Sequence, residues 1–264
     1  MSTGPVSTVK PADSGEWDEV WLHAPSSQLS KTQLAEWNSS FLAHVQEDDR
    51  TLECGCGDGL ISIFLSKYRQ ANANAIDFSR EAARVVRRNE VVNLTRLGFA
   101  LADVTAIPFK DGTFDLTFSL GVNEHLSQGD RLGSLAEMIR VTKSRGTIVI
   151  DVPNRNSVFY FIGMEIRKKL GHWAVGFELP YKKSELMRLS AQAGNLVSVR
   201  FRHYGFVQSL LFLLPSRLWP YLPAKQLDNV FDRSPLRYIG RGLVLSAKKA
   251  VDASQGHEDS TCQR

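Results

Sequence analysis

Two hydrophobic periods alternate along this chain. Short apolar runs that end in Gly, Asp or Asn alternate with stretches whose apolar positions recur every three or four residues. The first pattern predicts strands and the second amphipathic helices. Thr51-Leu52-Glu53-Cys54 reads as a strand, broken by Gly55, Gly57 and Gly59 before a helix with Ile61, Ile63, Phe64 and Leu65 on its apolar face. A second strand ends at Ala75-Ile76-Asp77, with a helix starting near Arg80. A third, Leu97–Ala102, ends at Asp103-Val104, and a fourth, Thr113–Leu120, runs into Gly121–Leu126. A fifth, Gly146–Val152, follows a helix and an Arg145-Gly146 turn. Looser pairing signals fall at Leu196–Arg202, after a helix over Lys183–Ala193 closed by Gly194, and at Gly242–Lys248. Strands separated by helix-length segments predict an α/β fold with a parallel sheet.

Upstream, Trp17, Val20 and Trp21 fall at i, i+3 and i+4, one face of a helix. Such a stripe ordinarily packs into a core. A further helix is expected around Thr32–Val45, through Leu34, Trp37, Phe41, Leu42 and Val45.

Chemistry concentrates at the strand ends. Gly55 and Gly57 fit the first two places of the dinucleotide fingerprint G-x-G-x-x-G, but Leu60 holds the third. The pattern is E-x-G-x-G-x-G, with Glu53 ahead of the loop, and an anionic side chain there suits a cationic ligand better than a pyrophosphate. Asp77 ends the second strand where open α/β sheets grip a ribose diol. Taken singly, Asp77 also fits a helix cap and Asp103 a turn. Taken together, three acids and a glycine loop at carboxyl ends of strands mark a ligand edge.

In these motifs the chain resembles class I S-adenosylmethionine-dependent methyltransferases, the branch with ubiquinone-methyltransferase-like motifs. The likeness is close over Arg50–Val152 and looser beyond. It implies a Rossmann-like α/β fold: a seven-stranded, mostly parallel sheet with an antiparallel last strand, helices on both faces and a cap built from insertions. It also implies S-adenosyl-L-methionine as cofactor. Glu53, Gly55, Cys56 and Gly57 would hold its amino acid end, Asp77 the ribose and Phe78 the adenine face. Asp103 and Val104 would meet the adenine edge, and Leu120 would add backbone contacts. Glu53 stands where Asp is more usual, which lengthens the arm and keeps the charge.

That frame divides the chain into an N-terminal helical segment covering the cofactor site (1–48), a core (49–153), a cap insertion (154–182), a core helix and strand (183–203), a second cap insertion (204–239), a last strand (240–250) and a tail expected to be disordered (251–264). For a general base, His125 with Glu124 beside it is the best placed pair after strand four. The bland alternative is a histidine that fixes the loop. Trp21, His172, Tyr181 and Tyr204 are weaker candidates to touch an acceptor, as is His203 for a base. A base is needed only where the acceptor atom carries a proton to lose.

Charge sharpens the picture. The net value of +4 hides a split: residues 1–154 carry 15 Lys and Arg against 20 Asp and Glu, whereas 155–249 carry 16 against 5. The basic half suggests an anionic partner, scattered too widely to favour nucleic acid. Its apolar run Phe206–Leu214, with Arg217, Trp219, Tyr221 and Lys225 beyond it, is too short to span a bilayer. It fits a lid over a greasy acceptor first, and peripheral membrane contact through 206–223 or a homodimer interface next. A small, hydrophobic acceptor, with a phosphate or carboxylate as an option, is the expected partner. Three cysteines and a polar N-terminus suggest the cytoplasm. Cys54 and Cys56 read as small apolar fillers, and no metal-ligand spacing is visible. Two rival functions remain: a non-catalytic subunit of the same fold, and an NAD-dependent oxidoreductase.

Overall fold

The computed structural model describes residues 13–23, 34, 37, 41–171, 177–214 and 224–251. Strands β1 (Arg50–Cys54), β2 (Asn72–Asp77), β3 (Gly98–Leu101), β4 (Phe114–Leu120), β5 (Thr142–Pro153), β6 (Leu196–Tyr204) and β7 (Gly242–Lys249) form one sheet in the order β3-β2-β1-β4-β5-β7-β6. The first five pair in parallel, and β7 runs antiparallel to both β5 and β6. The order reverses between β1 and β4, so a crevice opens at their carboxyl ends, the place where such sheets bind ligands.

Helices α1 (Ser14–Leu22), α2 (Leu60–Arg69), α3 (Arg80–Asn93), α4 (Gln128–Val141), α5 (Val158–Lys169), α6 (Lys183–Ala193), α7 (Phe206–Leu211) and α8 (Ala224–Phe231) cover the sheet and its carboxyl edge. Alternate strand residues feed two cores. Leu52, Cys54, Ile148 and Ile150 pack with Leu135 and Met138 of α4 on one face. Ala73, Ala75, Phe118 and Val149 pack with Ile61, Ile63 and Leu65 of α2 on the other. Cys54 and Cys56 are buried, unbonded members of these cores.

Two sequence expectations shift. The Arg145-Gly146 pair is not a helix–strand turn. Helix α4 passes into β5 at Thr142, and the pair forms an irregularity inside that strand, where Arg145 takes φ 64° and the register with β4 slips. A side chain on Gly146 would meet the Asp115 carbonyl, which is why the irregularity needs glycine there. The helix expected over Thr32–Val45 does not continue to its end: Leu42–His44 is a single 3-10 turn.

Candidate active site

The glycine loop is lashed down before any ligand is considered. Gly55 and Cys56 both donate their N–H to the Ile76 carbonyl, at 2.9 and 3.0 Å, and Gly57 donates to the Asp77 carboxylate at 2.8 Å. Gly57 takes φ 51° and lies under the Trp21 indole, so a Cβ there would penetrate the ring. The bare backbone forms a cradle that only glycine leaves open.

The three strand-end acids each have local partners. Glu53, 5% exposed, accepts from the Ser62 hydroxyl at 2.6 Å and the Ser62 N–H at 3.0 Å, both on Oε2. Burial pushes its carboxyl up to about 8 despite those bonds. Asp77 spans Gly57 and Ser79, accepting from the Ser79 N–H at 2.9 Å, and burial also raises it. Asp103 is exposed and accepts from the Thr105 N–H and hydroxyl at 2.7 and 2.8 Å. Phe78 stands exposed beside Asp77, Val104 is buried, and Leu120 is half-buried at the end of β4. Glu53, Gly55, Cys56, Gly57, Asp77 and Phe78 come together around one loop, with Asp103 and Val104 one strand farther out.

Helix α1 roofs this edge, and the expectation that its stripe packs into a core is corrected. None of its residues is fully buried. Trp21 lies on Gly57, Trp17 meets the His125 ring edge-on at 5.0 Å, and Asp18 between them accepts from the Ser79 hydroxyl at 2.5 Å and the Glu81 N–H at 3.2 Å. Asp18 thereby sits at the N-terminus of α3, where a carboxylate complements unpaired N–H groups and the helix dipole. Sequence spacing gives Asp18 no signal, because its partners lie 61 and 63 residues away.

Beyond β4 the polar residues crowd. The Nδ1 of His125 lies 2.6 Å from the Phe177 carbonyl. A carbonyl only accepts, so Nδ1 carries the proton and Nε2 keeps its lone pair. Burial holds this imidazole below its ordinary value. Glu124 Oε1 lies 3.8 Å from Nε2, its Oε2 is buried without a partner, and burial drives its carboxyl well above the usual range.

Arg131 of α4 organises the surrounding loops. Its guanidinium donates to the carbonyls of Leu126, Glu124 and Leu179, at 3.1, 3.1 and 2.7 Å, and stacks over Tyr181 at 4.3 Å. Tyr181 is 2% exposed, and its hydroxyl points to the Asn123 carbonyl. Tyr204 lies across Gly242 at the end of β6, not in a cap, and donates to Asp151 Oδ2 at 2.8 Å. Trp37 donates to the same oxygen at 2.9 Å. His203 belongs to β6 and packs against Tyr238. His172 lies outside the described residues. Sequence reasoning missed Glu178, which accepts from the Tyr160 hydroxyl at 2.8 Å, and Arg241, near Gln208. Among the described residues no group of three His, Cys, Asp or Glu could hold a metal ion.

Residues 52–150 match the family described as a methyltransferase domain. The core is a class I S-adenosylmethionine-dependent methyltransferase domain. The tocopherol O-methyltransferase of Arabidopsis thaliana is 28% identical over 162 residues, 52% of this chain and 45% of its own. The ubiquinone/menaquinone biosynthesis C-methyltransferase of Citrifermentans bemidjiense is 29% identical over 133 residues, 46% of this chain and 55% of its own. The chain thus spans about half the length of these curated relatives. Among solved structures, the Haemonchus contortus phosphoethanolamine N-methyltransferase 2 bound to S-adenosyl-L-methionine superposes with a TM-score of 0.59 at 15% identity, covering 95% of this chain and 61% of that one. S-adenosylmethionine is the cofactor of this domain, and the loop fits it: a glycine cradle roofed by Trp21 and flanked by two buried carboxyl groups suits a ligand carrying an ammonium and a sulfonium.

Proposed function

We propose that this chain transfers the methyl group of S-adenosylmethionine to a small, largely hydrophobic acceptor. The observation that carries the reading is the juxtaposition of the acid-flanked glycine cradle with the His125 loop under one roofing helix. Bound S-adenosylmethionine supplies a methyl group made electrophilic by its sulfonium. Glu53 and the Gly55–Gly57 backbone hold the amino acid end, Asp77 the ribose, and Asp103 with Val104 the adenine edge. The chain's remaining task is alignment and exclusion of water, worth several kcal/mol when an acceptor is held in line. His125, neutral and with Nε2 free of a proton, takes the proton where the acceptor is a hydroxyl or an acidic carbon.

Support for an apolar acceptor comes from the aromatic walls of the cap, where Tyr160 meets Phe212 at 4.7 Å and Phe159 meets Phe206 at 6.2 Å. Two relatives are named for tocopherol and for quinone biosynthesis, in keeping with it. The test is S-adenosylhomocysteine formation across lipid, isoprenoid, polyketide and sugar acceptors, with Asp77→Ala as the blank. Turnover confined to polar sugars would overturn the apolar reading. Calorimetry with S-adenosylmethionine and NADH separates the rivals: cofactor binding with no turnover on any acceptor supports a non-catalytic subunit, and NADH binding an oxidoreductase.

The protein's second contact is with a membrane surface, and its support lies on α5 more than on 206–223. Helix α7 is largely buried, and 215–223 lie outside the described residues. Along α5 and just past it, Val158, Ile162, Ile166 and Leu170 recur every fourth residue and are 56, 47, 45 and 61% exposed. Lys168 and Lys169 end the stripe, within the basic half of the chain. An aliphatic stripe with basic flanks suits an anionic bilayer surface. No described helix is long and apolar enough to cross a membrane.

A further inference from the structure

Arg241 enters β7 at the carboxyl edge of the sheet, tied by its backbone to Gly205 and Asn154. Its guanidinium makes one long hydrogen bond, Nη1 to Gln208 Oε1 at 3.4 Å, and no described carboxylate comes within ion-pair distance. Gln208 is 8% exposed, and its Nε2 is buried with no partner. The guanidinium also lies over the Phe212 ring, 5.7 Å from its centre, so beyond the Oε1 contact the side-chain N–H groups of Arg241 and Gln208 have no hydrogen-bond acceptor among the described residues. Arg241 is half-buried, and a guanidinium with unused N–H groups at a partly desolvated edge is suited to an anion that takes them in paired hydrogen bonds.

The carboxylates in the neighbourhood are engaged elsewhere. Asp151 takes the Tyr204 hydroxyl and the Trp37 indole N–H. Glu178 takes the Tyr160 hydroxyl at 2.8 Å, and burial raises its carboxyl. Glu124 is buried, raised, and folded back toward Gly121: its Oε1 lies 3.6 Å from where a Cβ on that glycine would be. Gly121 follows Leu120, so Glu124 adjoins the end of β4 where the donor is expected.

We propose that Arg241 and the Gln208 amide form the seat for a carboxylate carried by the acceptor. The inference rests on the methyltransferase reading and names the polar end of its substrate. A planar carboxylate matches the guanidinium fork in two parallel hydrogen bonds, and the Gln208 N–H₂ supplies a third donor. A monoanion fits better than a phosphate dianion, because Asp151 and Glu178 stand near enough to repel the second charge. The Phe212 ring, packed on Tyr160 and lying beside the guanidinium, would meet the hydrocarbon body, leaving the reacting atom toward Glu124 and His125.

The test titrates octanoate and its neutral counterpart octanamide into the whole protein saturated with S-adenosylhomocysteine. Octanoate is expected to bind at least about tenfold tighter than octanamide, a difference of about 1.4 kcal/mol. Arg241→Gln should remove that preference and leave S-adenosylhomocysteine affinity in place. Gln208→Glu, nearly isosteric, puts an internal carboxylate against Arg241 and should exclude octanoate as well, so it decides the matter if Arg241→Gln does not fold. Equal binding of the two probes by the wild-type protein, or an undiminished preference in a folded variant, overturns the proposal. Failure of S-adenosylhomocysteine itself to bind would instead overturn the methyltransferase reading.

Discussion

The indole of Trp21 rests directly on the backbone of Gly57, so the roof over the site and the floor of the cradle touch with no room for a side chain between them. Gly57→Ala is therefore expected to act twice, straining a backbone at φ 51° and lifting Trp21. Calorimetry should show S-adenosylmethionine affinity lower by roughly tenfold or more, as strain of about 1–3 kcal/mol implies. Adding Trp21→Ala should recover part of that loss, since it removes the collision and leaves the strain. An alanine variant that binds the cofactor as well as wild type would show that the cradle is not the donor seat.

Glu53 makes a pH prediction with a definite sign. Burial raises its folded-state value to about 8, above its unfolded value, so between the two the unfolded chain is ionised and the folded one neutral. The stability it contributes is complete below about 4.5 and is lost as pH rises toward about 8. The melting temperature of the ligand-free protein should fall across that window, and Glu53→Gln should flatten the fall. If Glu53 holds the cofactor's ammonium, binding at pH 7 must also release its proton. The calorimetric enthalpy should then vary with the ionisation enthalpy of the buffer in the wild type and much less in Glu53→Gln.

Arg131 is expected to be a structural keystone of the loops after β4. Replacing it with Ala removes the guanidinium from the carbonyls of Glu124, Leu126 and Leu179, of which Glu124 keeps the Leu179 N–H. With charged hydrogen bonds worth about 1.5–3 kcal/mol each and only partly additive, a loss of roughly 3 kcal/mol is expected in chemical denaturation. A loss under about 1 kcal/mol would mean that the loops are held chiefly by other contacts.

His125→Asn separates the two roles of this histidine. The Asn amide can still donate toward the Phe177 carbonyl, which preserves the loop, but it has no basic nitrogen. With a proton-bearing acceptor, turnover should drop by about 10²–10⁴ at unchanged cofactor affinity, the range of general base catalysis. In the wild type, kcat/KM should rise with pH through a value below the ordinary 6.5 of histidine, because burial lowers it. Full activity in the variant would leave His125 a loop anchor only.

On α5, Ile162→Glu with Ile166→Glu should abolish binding to vesicles containing phosphatidylserine and leave turnover of a soluble acceptor unchanged. Equal flotation of wild type and variant would remove α5 as the membrane face.

Much of this architecture was legible in the chain. The strands of the core carry local signals, since each ends in an acid or a glycine within a few residues, and the fifth was misread only at its start. There Arg145-Gly146 has turn composition but sits in a strand irregularity forced by packing against Asp115. The candidate donor seat is legible for the same reason: Glu53, Gly55, Gly57 and Asp77 lie within 25 residues. The acceptor end was not. Arg241, Gln208, Glu178 and Asp18 meet their partners through contacts 18 to 63 residues distant, on elements whose neighbours are set by topology. Tyr181 and Tyr204 are acceptor candidates by sequence position alone, and no local pattern signals the Arg131 guanidinium over Tyr181 or the Tyr204 bond to Asp151.

Helix α1 reaches Gly57 with one tryptophan and His125 with the other, one turn apart on nine residues. A roof shared in this way imposes an itinerary. Under the proposed activity the cofactor is expected to enter with α1 lifted, its re-seating completing the wall against which the acceptor is positioned. Steady-state patterns should then be sequential and ordered, with S-adenosylhomocysteine competing against S-adenosylmethionine alone and leaving last. Dwell time under α1, more than the methyl transfer beneath it, would set the pace of the cycle.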